Sequence, residues 1–287
     1  MTRVIQTIAT AREWVREARA SGETIGLVPT MGFLHDGHLS LIRRARQRSG
    51  RVVASIFVNP LQFGPGEDFE RYPRAFERDL ALLEREGVNA VFAPAPGEMY
   101  PSPPTVSVSI GRLGEILCGA SRPGHFRGVA TVVAKLFHIL EPDRAFFGQK
   151  DAQQVAVIRA MVRELNFPLE LEVCPTVREP DGLAMSSRNA YLSPEERANA
   201  TVLFRSLERA RSLIAGGARD AASVEREMRE MIQAVPGAEL DYARVVDSKN
   251  LDDVRQIQSE VLVAVAVRFG KTRLIDNAIL APESSEK

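Results

Sequence analysis

The chain has 287 residues, enough for one large domain or two smaller ones, and 45% of them are hydrophobic, as in an ordinary globular protein. Its 37 basic residues balance its 37 acidic ones, which argues against a polyanion-binding surface, so we expect no nucleic-acid partner. Two cysteines, a charged N-terminal segment and no apolar run long enough to cross a bilayer lead us to expect a cytoplasmic protein without membrane contact.

The first part of the chain predicts strands that alternate with helices. Apolar runs predict strands over residues 24–28, 51–58, 89–93, 145–148 and 171–177, and the β-branched run at 51–58 is typical of a strand buried on both faces of a parallel sheet. An alternating run predicts an edge strand over residues 106–110. Apolar residues at helical spacing predict helices over residues 10–20, from Leu39, from Phe76 to Gly87, and over 129–140. The last helix is so apolar that we expect its His138 to be a packed core residue.

The pattern changes after Tyr191. Ser193, Pro194 and Glu196 combine an N-cap, a proline at the first helical position and a capping-box glutamate, which predicts a helix from there to Gly216. A second helix over residues 221–235 and strands over 242–246, 261–267 and 274–280 follow. We therefore predict an α/β protein with a doubly wound parallel, Rossmann-like sheet domain over residues 1–176 and a smaller α+β domain over residues 177–287.

Ligands of doubly wound sheets bind beyond the carboxyl ends of the strands, so the loops at those ends are the candidate site. The loop after the strand at 24–28 carries Met31, Gly32, His35 and His38 and leads into a helix N-terminus. The two histidines fit a capped turn, a metal site, or a phosphate site, because a helix N-terminus favours anions. These residues alone leave the three interpretations open.

A second candidate loop begins at Gly148, after the strand at 145–148. Asp151 and Gln154 fit a capping box, which is the structural interpretation of this loop. Lys150, however, places an ammonium group at another helix N-terminus, where it suits a phosphate.

A third loop, after the strand at 171–177, contains Ser186, Ser187 and Arg188. Two hydroxyls beside a guanidinium form a donor-rich cluster that fits a polyphosphate. Serine and asparagine are also ordinary loop residues, so these donors gain meaning only together with the other loops.

Five segments occur in order between about residues 25 and 191: Pro-Thr-Met-Gly-x-Leu-His-x-Gly-His at 29–38, and the segments 57–63, 122–129, 148–151 and 185–189. Together they closely resemble the pantothenate synthetase (pantoate–β-alanine ligase) family of the nucleotidylyltransferase superfamily. Gln149 departs from the family pattern, which often has glutamate there, and we expect no loss of activity from that change.

The resemblance implies an AMP-forming ligase that makes a carbon–nitrogen bond in two steps. The carboxylate of pantoate attacks the α-phosphate of ATP to give pantoyl adenylate and pyrophosphate, and the amine of β-alanine then displaces AMP. Such chemistry needs positioning and charge stabilisation rather than a protein nucleophile. The phosphate-facing donors of the loops agree with it.

The resemblance also implies roles for individual residues. His35, His38, Lys150 and Arg188 are the expected catalytic groups, with His38 as proton donor, and Gln62 and Gln154 are expected to hold pantoate. Val177 is expected to offer backbone hydrogen bonds to adenine, and Asp151 to meet the ribose. The expected ATP site comprises Met31, Gly32, His35, His38, Gly148, Lys150, Asp151, Val177, Met185, Ser186, Ser187 and Arg188.

Magnesium is implied because ATP binds as its Mg²⁺ complex. Asp79 is a candidate outer ligand, but Arg78 stands where some relatives carry a second acid, so no protein metal ligand is certain. The expected partners are pantoate, β-alanine and ATP, and the resemblance implies a homodimer through the first domain.

Two features remain open at this level. His125 either lines the site or fixes its loop, and the loop at 61–74, with Gly64-Pro65-Gly66, is expected to close over the adenylate. The alternative functions are another small-molecule nucleotidylyltransferase, and a non-catalytic nucleotide- or metal-binding module that uses His35 and His38 as ligands.

Overall fold

The computed structural model describes residues 2–282. Residue 1 and residues 283–287, the outer ends of the two predicted domains, lie outside that part. The chain forms two compact units. The first contains the chain up to Gln149 together with Val157–Pro175, and the second contains Lys150–Ala156 together with the chain from Thr176 onward.

A parallel six-stranded sheet forms the centre of the first unit. Its strands are β1 (Arg3–Ile5), β2 (Ile25–Thr30), β3 (Arg51–Ile56), β4 (Ala90–Phe92), β5 (Arg144–Gly148) and β6 (Glu170–Cys174). They lie in the order β1-β4-β3-β2-β5-β6, so β2 pairs with β3 on one side and with β5 on the other. From β2 the chain adds β3 and β4 on one side of the sheet, and it adds β5 and β6 on the other side. The boundary between β2 and β5 is therefore the switch point at which doubly wound sheets bind ligands.

Helices cover both faces of this sheet. They are α1 (Ile8–Ala20), α2 (Asp36–Arg48), α3 (Phe76–Arg85), α4 (Pro96–Met99), α5 (Cys118–Ser121), α6 (His125–Leu140) and α7 (Ala152–Glu164), in which the chain passes between the units. Ile42 of α2 and Leu83 of α3 pack against Val28 and Ala54 on one face. Leu27, next to Val28, is also fully buried, and α6 contacts β2, which explains why the strands are continuously apolar.

The second unit is a three-stranded antiparallel sheet with helices. Its strands β7 (Ala238–Asp247), β8 (Val261–Phe269) and β9 (Thr272–Leu280) pair in that order, and its helices are α8 (Pro194–Asn199), α9 (Val202–Ala215) and α10 (Ala221–Gln233). Leu203 of α9 and Val224 of α10 share a core with Val263 of β8. The predicted fold class, an α/β sheet domain with a smaller α+β part, is confirmed. Among the described residues, none of the helices has the length and apolar character needed to cross a membrane.

Several local predictions were wrong. Residues 106–110 form no strand: Val106 is 82% exposed, and the N–H of Val108 donates to the hydroxyl of Thr131 rather than to a neighbouring strand. His138 is exposed on α6, with its ring 5.2 Å from that of Phe167, because it lies on the polar edge of that helix. The predicted helix from 193 to 216 is broken at residues 200–201 into α8 and α9.

Candidate functional site

His35 and His38 form the junction between β2 and α2. His35 is the N-cap of α2, and its Nδ1 accepts the N–H of Gly37 at 3.2 Å. Nδ1 of His38, at the third helical position, accepts the N–H of His35 at 3.3 Å. The two rings lie with their centroids 4.1 Å apart. The histidines therefore replace the serine and glutamate of an ordinary capping box.

These hydrogen bonds determine where the imidazole protons lie. A backbone N–H can only donate, so each Nδ1 must be an acceptor, and the neutral ring then carries its proton on Nε2. Both histidines thus direct an Nε2–H donor away from the helix backbone. Two such donors at the positive end of α2 suit an anion.

Adjacent residues of α3, Arg78 and Asp79, hold the backbone that precedes this junction. The fully buried carboxylate of Asp79 accepts the N–H groups of Phe33 at 2.6 Å and Leu34 at 2.8 Å. Arg78 donates to the carbonyl of Leu34 at 2.9 Å, and its guanidinium lies 5.1 Å from the centre of the Phe33 ring. Together they keep Phe33 at a φ of 51°, which is unfavourable for a residue with a Cβ.

This geometry disfavours Asp79 as a metal ligand. Each of its oxygens already faces a backbone N–H, and the residue has no exposed surface through which a hydrated cation could reach it. Within residues 2–282, no group of three or more His, Cys, Asp or Glu side chains is arranged to hold a metal ion.

Gln62 lies in a short 3₁₀ turn, Pro60–Gln62, in the segment that follows β3. Its Oε1 accepts from Nδ2 of Asn59 at 3.0 Å, and its Nε2 lies 3.2 Å from Sδ of Met31. The structure thus brings together two predicted site residues, Gln62 and Met31. Asn59, which is 1% exposed, also accepts from the hydroxyl of Tyr100 at 2.9 Å. Burial raises the pKa of Tyr100 to about 12, so the hydroxyl keeps its proton and donates at physiological pH.

His125 fixes the loop that carries Gln62. Its Nδ1–H donates to the carbonyl of Gln62 at 2.8 Å, so its Nε2 is the acceptor for Arg122, 3.1 Å away. Arg122 also makes a bidentate ion pair with Glu67, with N–O distances of 2.7 and 2.6 Å. Burial raises the pKa of Glu67, but the hydrogen bonds and charge of Arg122 outweigh burial, and the pKa lies below its usual value. His125 is the first residue of α6, so of the two roles considered for it the contacts favour fixing the loop.

In the second unit, β9 holds the segment that carries Lys150. Nδ2 of Asn277 donates to the carbonyl of Lys150 at 2.9 Å. The Lys150 side chain is 20% exposed, and its ammonium lies 3.9 Å from the carboxylate of Asp151. Gln154 is half-buried in the first turn of α7.

A tight hairpin carries Val177 and Met185 in the same unit. The N–H of Met185 donates to the carbonyl of Val177 at 3.0 Å, and Arg178 forms an isolated bridge with Ala184. The guanidinium of Arg178 pairs with the buried carboxylate of Asp276 at 2.6 Å and donates to the carbonyl of Gly182 at 3.0 Å. Burial raises the pKa of Asp276 although Arg178 opposes that rise. This ion pair ties the base of the hairpin to β9.

The hairpin leads into a 3₁₀ helix, Ser187–Tyr191. The hydroxyl of Ser186 caps it by accepting the N–H of Arg188 at 3.2 Å, and Ser187 is buried. Asn189 donates from its side chain to the carbonyl of Ala184 at 3.1 Å. The three predicted phosphate donors thus lie on one braced turn.

Several residues that shape these two regions were not predicted. Asn59 carried a usable signal, because it directly follows a buried strand at the ligand-binding edge of the sheet. Arg122 lies in the segment 122–129, which carries part of the family resemblance, whereas Tyr100 and Asp276 carried no signal, since each acts on a residue distant in the chain.

Known proteins resemble this chain over nearly its whole length. A family model described as pantoate-beta-alanine ligase matches residues 3–279. The pantothenate synthetase of Syntrophomonas wolfei subsp. wolfei is 55% identical over 278 residues, covering 96% of this chain and 99% of that protein. The pantothenate synthetase of Moorella thermoacetica is 57% identical over 277 residues, covering 96% and 98%.

Solved structures that resemble this chain are also of pantothenate synthetases. The pantothenate synthetase from Thermus thermophilus superposes with a TM-score of 0.93 at 49% identity, covering 98% of this chain and 100% of that one. The pantoate-beta-alanine ligase from Francisella tularensis, complexed with beta-gamma ATP and beta-alanine, gives a TM-score of 0.80 at 31% identity, covering 97% and 98%. The predicted resemblance is confirmed, and the chain belongs to the pantoate–beta-alanine ligase family.

Proposed function

We propose that this chain is an ATP-dependent, AMP-forming ligase that condenses pantoate with β-alanine to pantothenate through a pantoyl-adenylate intermediate. The observation that carries this function is the family match over residues 3–279. The ligand-bound relative from Francisella tularensis adds support, since it is complexed with beta-gamma ATP and beta-alanine. Neither another nucleotidylyltransferase nor a non-catalytic module has an observation in its favour.

In the first step, a carboxylate oxygen of pantoate attacks the α-phosphorus of ATP, the bond to the bridging oxygen breaks, and pyrophosphate leaves. We assign the Nε2–H groups of His35 and His38 to the phosphates, where His38, the expected proton donor, donates a hydrogen bond to the leaving pyrophosphate and keeps its proton. Their Nδ1 atoms already accept backbone N–H groups, so the rings need no reorganisation to donate. Lys150, Ser186, Ser187 and Arg188 supply further positive charge and donors to the same phosphates.

In the second step, the β-alanine amine attacks the acyl carbon of the adenylate, and the carbon–oxygen bond to AMP breaks. The amine loses a proton to give the neutral amide. The chain must keep water from the adenylate in the meantime, because hydrolysis would waste ATP. We assign this role to the loop at 61–74, which the ion pair of Glu67 and Arg122 fastens when it is closed.

The remaining contacts follow the family pattern. Gln62 and Gln154 hold pantoate, because an amide can both donate to a carboxylate and accept from a hydroxyl. Met31 and Gly32 form one wall of the ATP site, while Gly148 and Asp151 meet the nucleotide, and Val177 and Met185 take the adenine side. On this proposal residues 1–176 bind pantoate and nucleotide, and residues 177–287 close over ATP.

Three further properties belong to the same proposal. Mg²⁺ enters as part of the MgATP substrate, held by phosphate oxygens and water rather than by Asp79. The protein works in the cytoplasm, and it is a homodimer through its first domain. Sedimentation at micromolar concentration tests whether the protein is a homodimer. A monomer at that concentration would contradict this part of the proposal.

Incubation of the purified protein with ATP and pantoate, with β-alanine withheld or added, tests the function. We expect about one pyrophosphate per protein without β-alanine, and continuous formation of AMP and pantothenate once β-alanine is added. Pyrophosphate release that does not depend on pantoate would indicate a different nucleotidylyltransferase. Stoichiometric zinc with no AMP formation would indicate a metal-binding module.

A further inference from the structure

A buried amide, Asn59, connects Gln62 to the body of the first unit. It follows β3 at the ligand-binding edge of the sheet and is 1% exposed. Its side chain makes hydrogen bonds at both ends: Oδ1 accepts from Leu61 and Tyr100, and Nδ2 donates to Gly128 and Gln62.

Backbone groups determine which way this amide points. The N–H of Leu61 can only donate, so the atom 3.4 Å from it must be the oxygen of Asn59. The carbonyl of Gly128 can only accept, so the atom 3.1 Å from it must be the nitrogen. The orientation of Asn59 is therefore set independently of Gln62.

The orientation of Asn59 in turn sets that of Gln62. Because Nδ2 of Asn59 donates to it at 3.0 Å, the nearer atom of the Gln62 amide must be Oε1. The other end, Nε2, then points to Sδ of Met31 at 3.2 Å. A thioether is a weak acceptor, so these N–H groups gain when a carboxylate or hydroxyl oxygen replaces it.

Tyr100 stabilises the oxygen end of the Asn59 side-chain amide. Its hydroxyl donates to Oδ1 of Asn59 at 2.9 Å, whereas the contact from Leu61 is long at 3.4 Å. The ammonium of Lys135 lies over the Tyr100 ring, 5.4 Å from its centre, and the ring of Phe57 lies 6.1 Å away. These contacts hold the phenol where its hydroxyl reaches Asn59.

We propose that Tyr100 is a positioning residue which acts through Asn59 to make Gln62 present its N–H donors, and not its carbonyl oxygen, to an oxygen of pantoate. The inference rests on the proposed function in that Gln62 is taken to bind pantoate. It adds that the recognised group is an acceptor oxygen, and that a phenol outside the substrate contact stabilises the polarity which the backbone of Leu61 and Gly128 sets.

Tyr100→Phe keeps the ring and removes only the hydroxyl. We expect the variant to raise KM for pantoate roughly three- to tenfold, the effect of one lost hydrogen bond, with KM for ATP unchanged. Tyr242→Phe, a tyrosine-to-phenylalanine change in the second unit, is the matched control and should alter neither constant.

A double-mutant cycle separates positioning from general stability. If Tyr100 acts through Gln62, then Tyr100→Phe should have no further effect on kcat/KM for pantoate in a Gln62→Ala background. An undiminished effect in that background, or an equal rise in KM for both substrates, would overturn the proposal. Asn59→Asp, which cannot donate to Gln62, should lose pantoate affinity more strongly than Tyr100→Phe does.

The wild-type protein keeps this test distinct from the test of function. If the wild type consumes no pantoate, the proposed function fails. If it does consume pantoate and the two substitutions prove additive, only the role of Tyr100 fails.

Discussion

At the scale of single residues, His38 serves the helix and the substrate with different atoms. Its Nδ1 closes the capping box of α2, and its Nε2–H is assigned to the phosphates. A substitution to alanine therefore removes two functions at once. Variants that retain one of them can separate their contributions.

His38→Ala should slow adenylate formation about 10²- to 10³-fold, because a donor to developing phosphate charge is lost. It should also cost about 0.5–2 kcal/mol of stability through the lost cap. His38→Glu restores a capping-box side chain but sets a negative charge beside the phosphates. We expect a near wild-type melting temperature and even lower turnover for that variant.

Pyrophosphate release in single-turnover mixtures measures the loss, and thermal unfolding measures the cap. The exposed His138 supplies the matched control, since His138→Ala should change neither quantity. Wild-type turnover by His38→Ala would remove His38 from the mechanism.

Substitution of Asp79 tests whether this carboxylate binds a metal ion or only accepts the backbone N–H groups of Phe33 and Leu34. Asp79→Asn leaves one of its two buried backbone N–H partners facing an NH₂ group, which should cost about 1–3 kcal/mol and lower kcat. The Mg²⁺ concentration for half-maximal rate should stay the same, as measured by titration at fixed ATP. A large increase in that concentration would return Asp79 to the role of metal ligand.

Sequence patterns predict individual site residues only where the neighbouring residues in the chain indicate the local structure. His35 and His38 were found because they lie between a strand and a helix. His138 was misassigned because a predominantly apolar helix still has a polar edge, which periodicity alone does not locate. Tyr100 was missed since its partner, Asn59, lies far from it in the chain.

At the scale of elements, α6 must approach the turn after β3 very closely. A Cβ on Gly128 would lie 2.2 Å from the carbonyl oxygen of Leu61 and 2.7 Å from the Cα of Gln62. Only glycine permits this contact, and it places the backbone of α6 directly against the residue assigned to pantoate.

Gly128→Ala should therefore push α6 away from the turn at Gln62. We expect a loss of about 1–3 kcal/mol in the free energy of unfolding and a higher KM for pantoate, measured by urea unfolding and steady-state kinetics. Gly97→Ala is the control, because nothing lies within 4 Å of a Cβ there. If the two variants have the same free energy of unfolding and the same KM for pantoate, the close approach of α6 does not contribute to stability or pantoate binding.

The ion pair of Glu67 and Arg122 gives the loop at 61–74 a pH dependence. Since the pKa of Glu67 is lowered in the folded protein, the pair contributes fully above the ordinary glutamate value of about 4.3 and is lost as the pH falls through the lower folded value. Amide exchange in the loop, corrected for intrinsic rates, should rise only in that acidic range.

Glu67→Gln should show the faster exchange already at neutral pH, by roughly tenfold. Glu164→Gln, on a surface pair with its carboxylate 64% exposed, is the matched control and should leave the loop unchanged. Loop exchange that is the same in wild type and Glu67→Gln would show that the pair does not fasten the loop.

Elements with strong periodicity were predicted well, and short or context-dependent ones were not. β2, β3 and β5 carry continuous apolar runs, so their positions follow from the residues. β1 has three residues and exists because it pairs with β4, so no local pattern marks it. The segment at 106–110 has a strand-like alternation but no partner strand, and it remains an exposed irregular segment.

At the scale of the whole molecule, the candidate donors are divided between the two units. The first carries His35, His38 and Gln62 at the carboxyl ends of β2 and β3, and the second carries Lys150 and Arg188 on segments braced within it. The alternation of strands and helices predicted the doubly wound sheet because only that order buries apolar runs on both faces. The hydrogen bonds from His125 to Gln62 and from Asn277 to Lys150 join residues that are distant in the chain, so they were not predictable.

The central claim is that pantoate is activated as an adenylate. Pantoate with ¹⁸O in both carboxylate oxygens tests it directly, because the oxygen that attacks the α-phosphorus must leave with AMP when β-alanine attacks the acyl carbon. We predict that mass spectrometry will find one ¹⁸O in AMP and the other in the amide carbonyl of pantothenate. Label in inorganic phosphate with formation of ADP, or unlabelled AMP, would contradict the account.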